Sequence, residues 1–131
     1  MMLHQVPNVK HCEQRTLLSI ALELARLQAD AKAGKLQPAD LKGGSFTLSN
    51  IGNLGGTYTG PVINLPEVAI AGMGKIRPTP RYDASGALVK QAVMQISWSG
   101  DHRVIDGGTM ARFSSQWIRY LEQPSTMMLH L

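Results

Sequence analysis

Along residues 16–34, TLLSIALELARLQADAKAG, apolar side chains recur every three or four positions at Leu17, Ala21, Leu24, Leu27 and Ala31. That period predicts a helix, with Glu23, Arg26 and Asp30 lying mainly off the stripe. Thr16 is placed to cap its start and Gly34 to end it. After a short polar connection with Pro38, residues 44–50 (GSFTLSN) change to a period of two: Phe46 and Leu48 oppose Ser45, Thr47 and Ser49. This predicts a half-buried strand that ends at Ser49. IGNLGGTYTGPVINLP, residues 51–66, is rich in Gly, contains Pro61 and Pro66, and reads as a loop. EVAIAGMG, residues 67–74, is a compact apolar run suited to a strand buried on both faces, and RYDASGALV, 81–89, is a turn that returns the chain. In VKQAVMQISWS, 89–99, Ala92, Met94, Ile96 and Trp98 alternate with Val93, Gln95, Ser97 and Ser99, predicting one continuous strand. Finally GGTMARFSSQWIRYLEQP, 107–124, sets Met110, Phe113, Trp117 and Leu121 on one helical stripe that Pro124 closes. The pattern is that of one α/β unit: helix, strand, Gly loop, strand, hairpin, strand, turn, helix.

Composition narrows the class of protein. At 131 residues and 44% hydrophobic content the chain has the material for one core. Cys12 stands alone, so neither an internal disulfide nor a thiolate metal site is expected, and a reducing compartment is the natural setting. The N-terminus lacks the basic-then-apolar order of a signal peptide, and no apolar run approaches the roughly 18 residues that span a bilayer. A soluble cytoplasmic chain is expected, bacterial by preference, with the mitochondrial matrix as the alternative. The net charge of +4 is scattered, and only KIRPTPR, residues 75–81, is densely basic. Without an aromatic ladder beside those cations, no nucleic-acid partner is expected and the stretch reads as a solvated loop.

Chemistry concentrates in SWSGDHRVIDGG, residues 97–108. His102 lies in a strand-to-helix turn, a rigid base from which an accessible imidazole can act near neutral pH as a general base. A thiol is a fitting proton donor, since its free pKa of about 8.5 leaves it mostly protonated. Thiolate attack on an acyl carbon builds an oxyanion, and Ser49, at the end of another strand beside the Gly loop, is a hydroxyl that can stabilise it. The bland reading stands beside this one: Asp106 is a helix cap, Asp101 and Arg103 form a solvated turn, and Ser49 bonds nearby backbone. His4, His11 and His130 lack metal-ligand spacing and no metal is expected. The Gly-Lys-Ser/Thr of a phosphate loop and the Gly-x-Ser-x-Gly of a serine hydrolase are both missing.

GGSFTLSNIGNLGGTYTGPVINLPEVAIAGMGKI followed by SWSGDHRVIDGGTMARF resembles, in order and spacing, the C-terminal half of the catalytic domain of dihydrolipoyl acyltransferases, the core components of 2-oxo acid dehydrogenase complexes. The resemblance covers residues from about Pro7 onward, and the wording of SWSGDHRVIDGG and YLEQP is most similar to the branched-chain type, with the pyruvate type, and so an acetyl group, as the alternative. It implies an α/β fold like that of chloramphenicol acetyltransferase, a mixed sheet flanked by helices, present here as a partial domain spanning residues 1–131. It implies His102 as the base that deprotonates coenzyme A, or dihydrolipoamide in reverse, Ser49 as the oxyanion donor, and Asp106 as an organising carboxylate held in an ion pair. Coenzyme A and dihydrolipoamide are then substrates. Trimers are implied as well, with each active site between neighbouring subunits, inside a larger core that binds decarboxylase and dihydrolipoyl dehydrogenase partners through other domains.

Neither a lipoyl domain with its lysine nor a partner-binding domain is recognisable in this sequence. The first half of the catalytic domain, which would supply the arginine for Asp106, is also missing, and MMLHQ departs from family wording. Two readings follow. The chain is an acyltransferase segment that is active when complete or complemented, or it is a truncated, non-catalytic remnant that only self-associates or joins full-length subunits.

Overall fold

The computed structural model describes residues 6–130, with side chains as far as Met128, so MMLHQ, His4 and the His130 side chain lie outside it. The chain divides into two compact units, the first ending at Ser45 and the second beginning at Phe46.

In the first unit the predicted helix forms as α1 (Leu17–Lys32). The Thr16 hydroxyl accepts from the Ser19 amide at 3.2 Å, the cap its position calls for. Gly34, at φ 66°, turns the chain out of the helix in the left-handed conformation that glycine adopts without strain. The connection expected to be irregular contains a one-turn helix, α2 (Pro38–Leu41), opened by a capping box between Gln37 and Asp40. The predicted apolar stripe of α1 is corrected at most positions. Leu27 is buried, whereas Leu17 and Leu24 are exposed, and the covered line runs through Ile20, Glu23, Leu27 and Asp30. Arg26 explains why polar residues belong to that line, because its guanidinium donates to Glu23 at 2.7 Å, Asp30 at 3.0 Å and Asp40 at 2.9 Å.

The second unit is built on a mixed three-stranded sheet. Strands β1 (Thr47–Asn50), β2 (Ala69–Met73) and β5 (Ile96–Gly100) lie in the order β1-β2-β5, with β1 parallel and β5 antiparallel to β2. The apolar run read as a doubly covered strand is β2, and its Ala69, Ile70 and Ala71 are buried. Helix α3 (Gly107–Glu122) lies on one face of the sheet. Leu48, Ala71 and Trp98 share that face by register, and the Trp98 ring meets Phe113 edge-on at 5.4 Å and Trp117 at 5.8 Å. The Trp98 indole N–H donates to the Ser114 hydroxyl at 3.1 Å, which satisfies the ring's one polar atom. On the other face, Ser49, Gly72 and Ser97 form one row under the Gly-rich loop. The Thr59 amide donates to the Ser97 hydroxyl at 3.3 Å, and a Cβ on Gly72 would run into the Thr59 methyl.

Two predictions for the middle of the chain need correction. VKQAVMQISWS is two strands, because Met94 and Gln95 break it and the chain changes sheet there. The alternation keeps its parity across the break, so the pattern alone cannot reveal it. The supposed basic loop KIRPTPR is largely strand β3 (Arg77–Tyr82), paired antiparallel with β4 (Leu88–Val93) in a separate hairpin. Pro78 and Pro80 occupy rungs that need no donor toward β4, so the ladder survives them while the outer edge of β3 loses its N–H groups. The hairpin's turn is held by Asp83, whose carboxylate accepts from the amides of Ser85 at 2.8 Å and Ala87 at 3.0 Å.

Candidate functional site

His102 lies in the turn that joins β5 to α3, and Asp101 fixes the start of that turn. The Asp101 amide continues the β2–β5 ladder by donating to the Val68 carbonyl at 2.8 Å, and the Asp101 carbonyl accepts from Val104 at 3.0 Å and Ile105 at 2.9 Å. Its carboxylate takes the Arg103 amide at 3.0 Å and grips the Arg103 guanidinium through both oxygens, at 2.7 to 3.1 Å. The Arg103 side-chain and backbone donors hold the Asp101 carboxyl down to about 2. His102 projects from this braced turn into solvent, and its ring makes no hydrogen bond or ion pair among the described residues.

Asp106 ends the turn as the N-cap of α3, where its carboxylate accepts from the Thr109 amide at 2.6 Å. That amide, then the Thr109 hydroxyl, and more weakly the charge of Arg112, hold the Asp106 carboxyl below the usual carboxylate range. A histidine is thus set between a strand end and a capped helix start, each with its own hydrogen bonds. The carboxylate expected to organise the site is, in this chain, the start of the helix.

Ser49 is half-buried on the opposite face from α3, beneath the Gly-rich loop, and its hydroxyl has no partner among the described residues. The register keeps it apart from His102. Ser49 is level with Gly72 and Ser97, whereas Asp101, the last residue in the ladder, lies four residues further along β5, about 13 Å at the usual strand rise. The two residues that sequence reasoning joined in one chemistry stand at opposite ends of the sheet. Asp106 goes with His102, and neither approaches Ser49 along the strands.

Sequence reasoning passed over Glu67, which is only 8% exposed and accepts from the Thr47 hydroxyl at 2.5 Å. A charged residue opening an apolar strand was the available signal. It also treated Asp101 and Arg103 as plain surface residues, although an Asp-x-Arg pair astride a histidine marks a bracketed turn. Among the described residues no group of three or more His, Cys, Asp or Glu could hold a metal ion.

A small mixed sheet with a helix on one face, a Gly-rich loop on the other and a histidine braced where strand gives way to helix defines an α/β unit with a candidate base at one sheet end. The chain belongs to the 2-oxoacid dehydrogenase acyltransferase (catalytic domain) family, which matches residues 5–129. It is 55% identical over 126 residues to the lipoamide acyltransferase component of the mitochondrial branched-chain alpha-keto acid dehydrogenase complex of Mus musculus, covering 96% of this chain and 26% of the relative. The Pseudomonas aeruginosa component of the same complex is 44% identical over 95% of this chain and 29% of its own length. The chain therefore spans about a quarter of the length of the curated relatives it matches.

Solved structures agree. A dihydrolipoamide acetyltransferase of Azotobacter vinelandii, studied for the roles of a serine, a histidine and an asparagine in its mechanism, superposes with a TM-score of 0.88 at 36% identity. It is matched over 94% of this chain and 50% of that one. The cubic core of the pyruvate dehydrogenase multienzyme complex superposes at 0.89, with 36% identity and the same coverage. The expected mixed sheet flanked by helices is the fold observed. No helix among the described residues is long and apolar enough to cross a membrane.

Proposed function

We propose that this chain is the C-terminal part of a dihydrolipoamide acyltransferase catalytic domain, moving an acyl group, branched-chain by similarity, between dihydrolipoamide and coenzyme A. His102 is the base. Its imidazole takes the proton of the coenzyme A thiol, and the thiolate attacks the thioester carbonyl of the acylated dihydrolipoamide. A new sulfur–carbon bond forms as the carbonyl electrons move onto oxygen, and the Ser49 hydroxyl donates to that oxyanion. Collapse breaks the old sulfur–carbon bond, and the leaving dihydrolipoamide sulfur takes the proton back from the imidazolium. The site needs no metal.

The observation that carries this reading is the register. Ser49 and His102 are separated along one sheet, so a site that uses both is composed of His102 from one copy and Ser49 from another. A core of trimers supplies such an arrangement, and the cubic-core structure that this chain resembles is an assembly of the same fold. In the Azotobacter vinelandii enzyme an asparagine follows the histidine at the spacing at which Asp106 follows His102. Asn and Asp both cap helices well, which supports a local, helix-starting role for Asp106. A lipoyl domain that delivers the acyl group, and decarboxylase and dihydrolipoyl dehydrogenase components, are the partners that this reading implies. The compartment follows the relatives, which include a mitochondrial component and a bacterial one.

The test is acyl transfer from isobutyryl coenzyme A to dihydrolipoamide by the purified chain, with light scattering on the same sample. His102→Ala should cost on the order of 10² to 10⁴ in rate and Ser49→Ala about 10² to 10³. Mixing the two variants should restore part of the activity, because a composite site then regains one intact pair. Inactive wild-type chain that stays monomeric or aggregates would favour the non-catalytic remnant.

A further inference from the structure

Three backbone amides and one side chain in the turn after β5 converge on a single residue. Asp101 accepts from the amides of Arg103, Val104 and Ile105 and from the Arg103 guanidinium, while its own amide is tied to Val68 in the buried sheet. His102 is the only residue between Val68's partner and Ile105 that takes no part in this network. The ion pair closes over it in sequence, from the residue before to the residue after. Its Asp101 end is largely covered, with 18% of the side chain exposed, and its Arg103 end is open to solvent at 84%.

The geometry points to Asp101 and Arg103 as positioning residues for His102. The pair fixes the backbone on both sides of the histidine and so fixes the direction in which the imidazole leaves the turn. An exposed ion pair of this kind adds little to global stability, since solvent screens it and ordering the arginine costs entropy. A fork gripping both carboxylate oxygens does add geometric definition, which a single contact would not. The pair's effect is therefore local: it narrows the path of the turn without holding the fold together. Catalysis is sensitive to that kind of definition, because a misplacement of about 1 Å at a reacting group can cost up to 10²-fold in rate. The inference rests on the reading of His102 as the base only for its kinetic consequence. The clamp itself is a property of the turn.

Two measurements on the whole chain separate these. Amide hydrogen exchange by NMR in Arg103→Gln should show Val104 and Ile105 exchanging on the order of 10-fold faster than in the wild type, with the β2 amides unchanged, because only local openings are affected. Asp101→Asn, which keeps an acceptor for the Arg103 amide but loses the charged fork, should move the same two amides in the same direction. In the acyl-transfer assay Arg103→Gln should lower kcat about 10-fold with KM and the thermal midpoint little changed. Arg103→Lys, which keeps the charge without the fork, should recover part of the loss. Unchanged exchange at Val104 and Ile105 overturns the clamp, and so does an equal fall in kcat and thermal midpoint, which would mark a purely structural role. If the wild-type chain transfers no acyl group, the proposed function fails, and the exchange experiment still decides the clamp.

Discussion

Trp98 and Phe113 meet with their ring planes at 89° and centroids 5.4 Å apart, the edge-to-face contact that joins the central sheet to α3. Trp117 and Phe46 complete the cluster at 5.8 Å and 6.4 Å from Trp98. Because the His102 turn is strung between β5 and α3, this cluster sets the distance that the turn must bridge. Phe113 is half exposed, so Phe113→Ala should cost about 2 kcal/mol, below the usual range for a buried phenylalanine. A urea titration checks it: the midpoint should fall with the slope unchanged.

Gly72 and Gly74 both stand where a Cβ would collide, but with different neighbours. At Gly72 the obstacle is the Thr59 methyl, the end of a side chain, whereas at Gly74 it is the backbone of Thr57. Side chains rotate away and backbone does not, so Gly74→Ala should destabilise more than Gly72→Ala, by roughly 1 kcal/mol or more. Thermal midpoints of the two variants decide the order.

Acid should weaken the second unit over a defined range. Asp101 and Asp106 are both lowered from the carboxylate value of about 3.9. A lowered carboxylate stabilises the folded state fully above its unfolded pKa, and that stability is lost as pH falls through the folded value, which for Asp101 is about 2. Thermal midpoints should therefore hold steady down to about pH 4.5 and decline toward pH 2. The decline should be shallow, in keeping with the small contribution of the solvent-screened Asp101–Arg103 pair, and Asp101→Asn should flatten part of it; a steep decline that the variant leaves unchanged would count against the assignment.

The β3–β4 hairpin should be the least protected part of the sheet structure. Its residues are mostly exposed, and a two-stranded ribbon alone is marginal in water. Native-state hydrogen exchange should find its amides opening well before those of Ala69 to Met73. Matching protection in both would mean that the hairpin opens only with the whole unit.

Local signals were legible in the sequence where local physics settles the structure. Thr16 and Asp106 cap the helices they precede, Gly34 ends α1, Pro124 follows α3, and the buried β2 reads directly from its apolar run. The position of His102 at a strand-to-helix turn was equally plain. What stayed hidden depends on partners distant in sequence. Alternation from Ala92 to Trp98 keeps its phase through the Met94–Gln95 break, so nothing in it marks a change of sheet. KIRPTPR hides a strand because its side chains face water and its prolines resemble loop punctuation. The α1 stripe misleads because Arg26 gathers Glu23, Asp30 and Asp40 onto the covered side. The separation of Ser49 from His102 is invisible until β1, β2 and β5 are placed in register.

The two prolines of β3 have a consequence for the chain before it reaches any partner. Exposed leucines and open strands make a small sheet protein prone to stack edge to edge, and a hairpin with a free ladder would seed such growth. Pro78 and Pro80 remove two successive donors from the outer side of β3, so an incoming strand finds acceptors there with nothing to answer them. The hairpin is thereby closed to fibril extension on that side, a safeguard against aggregation written into two residues that perform no chemistry.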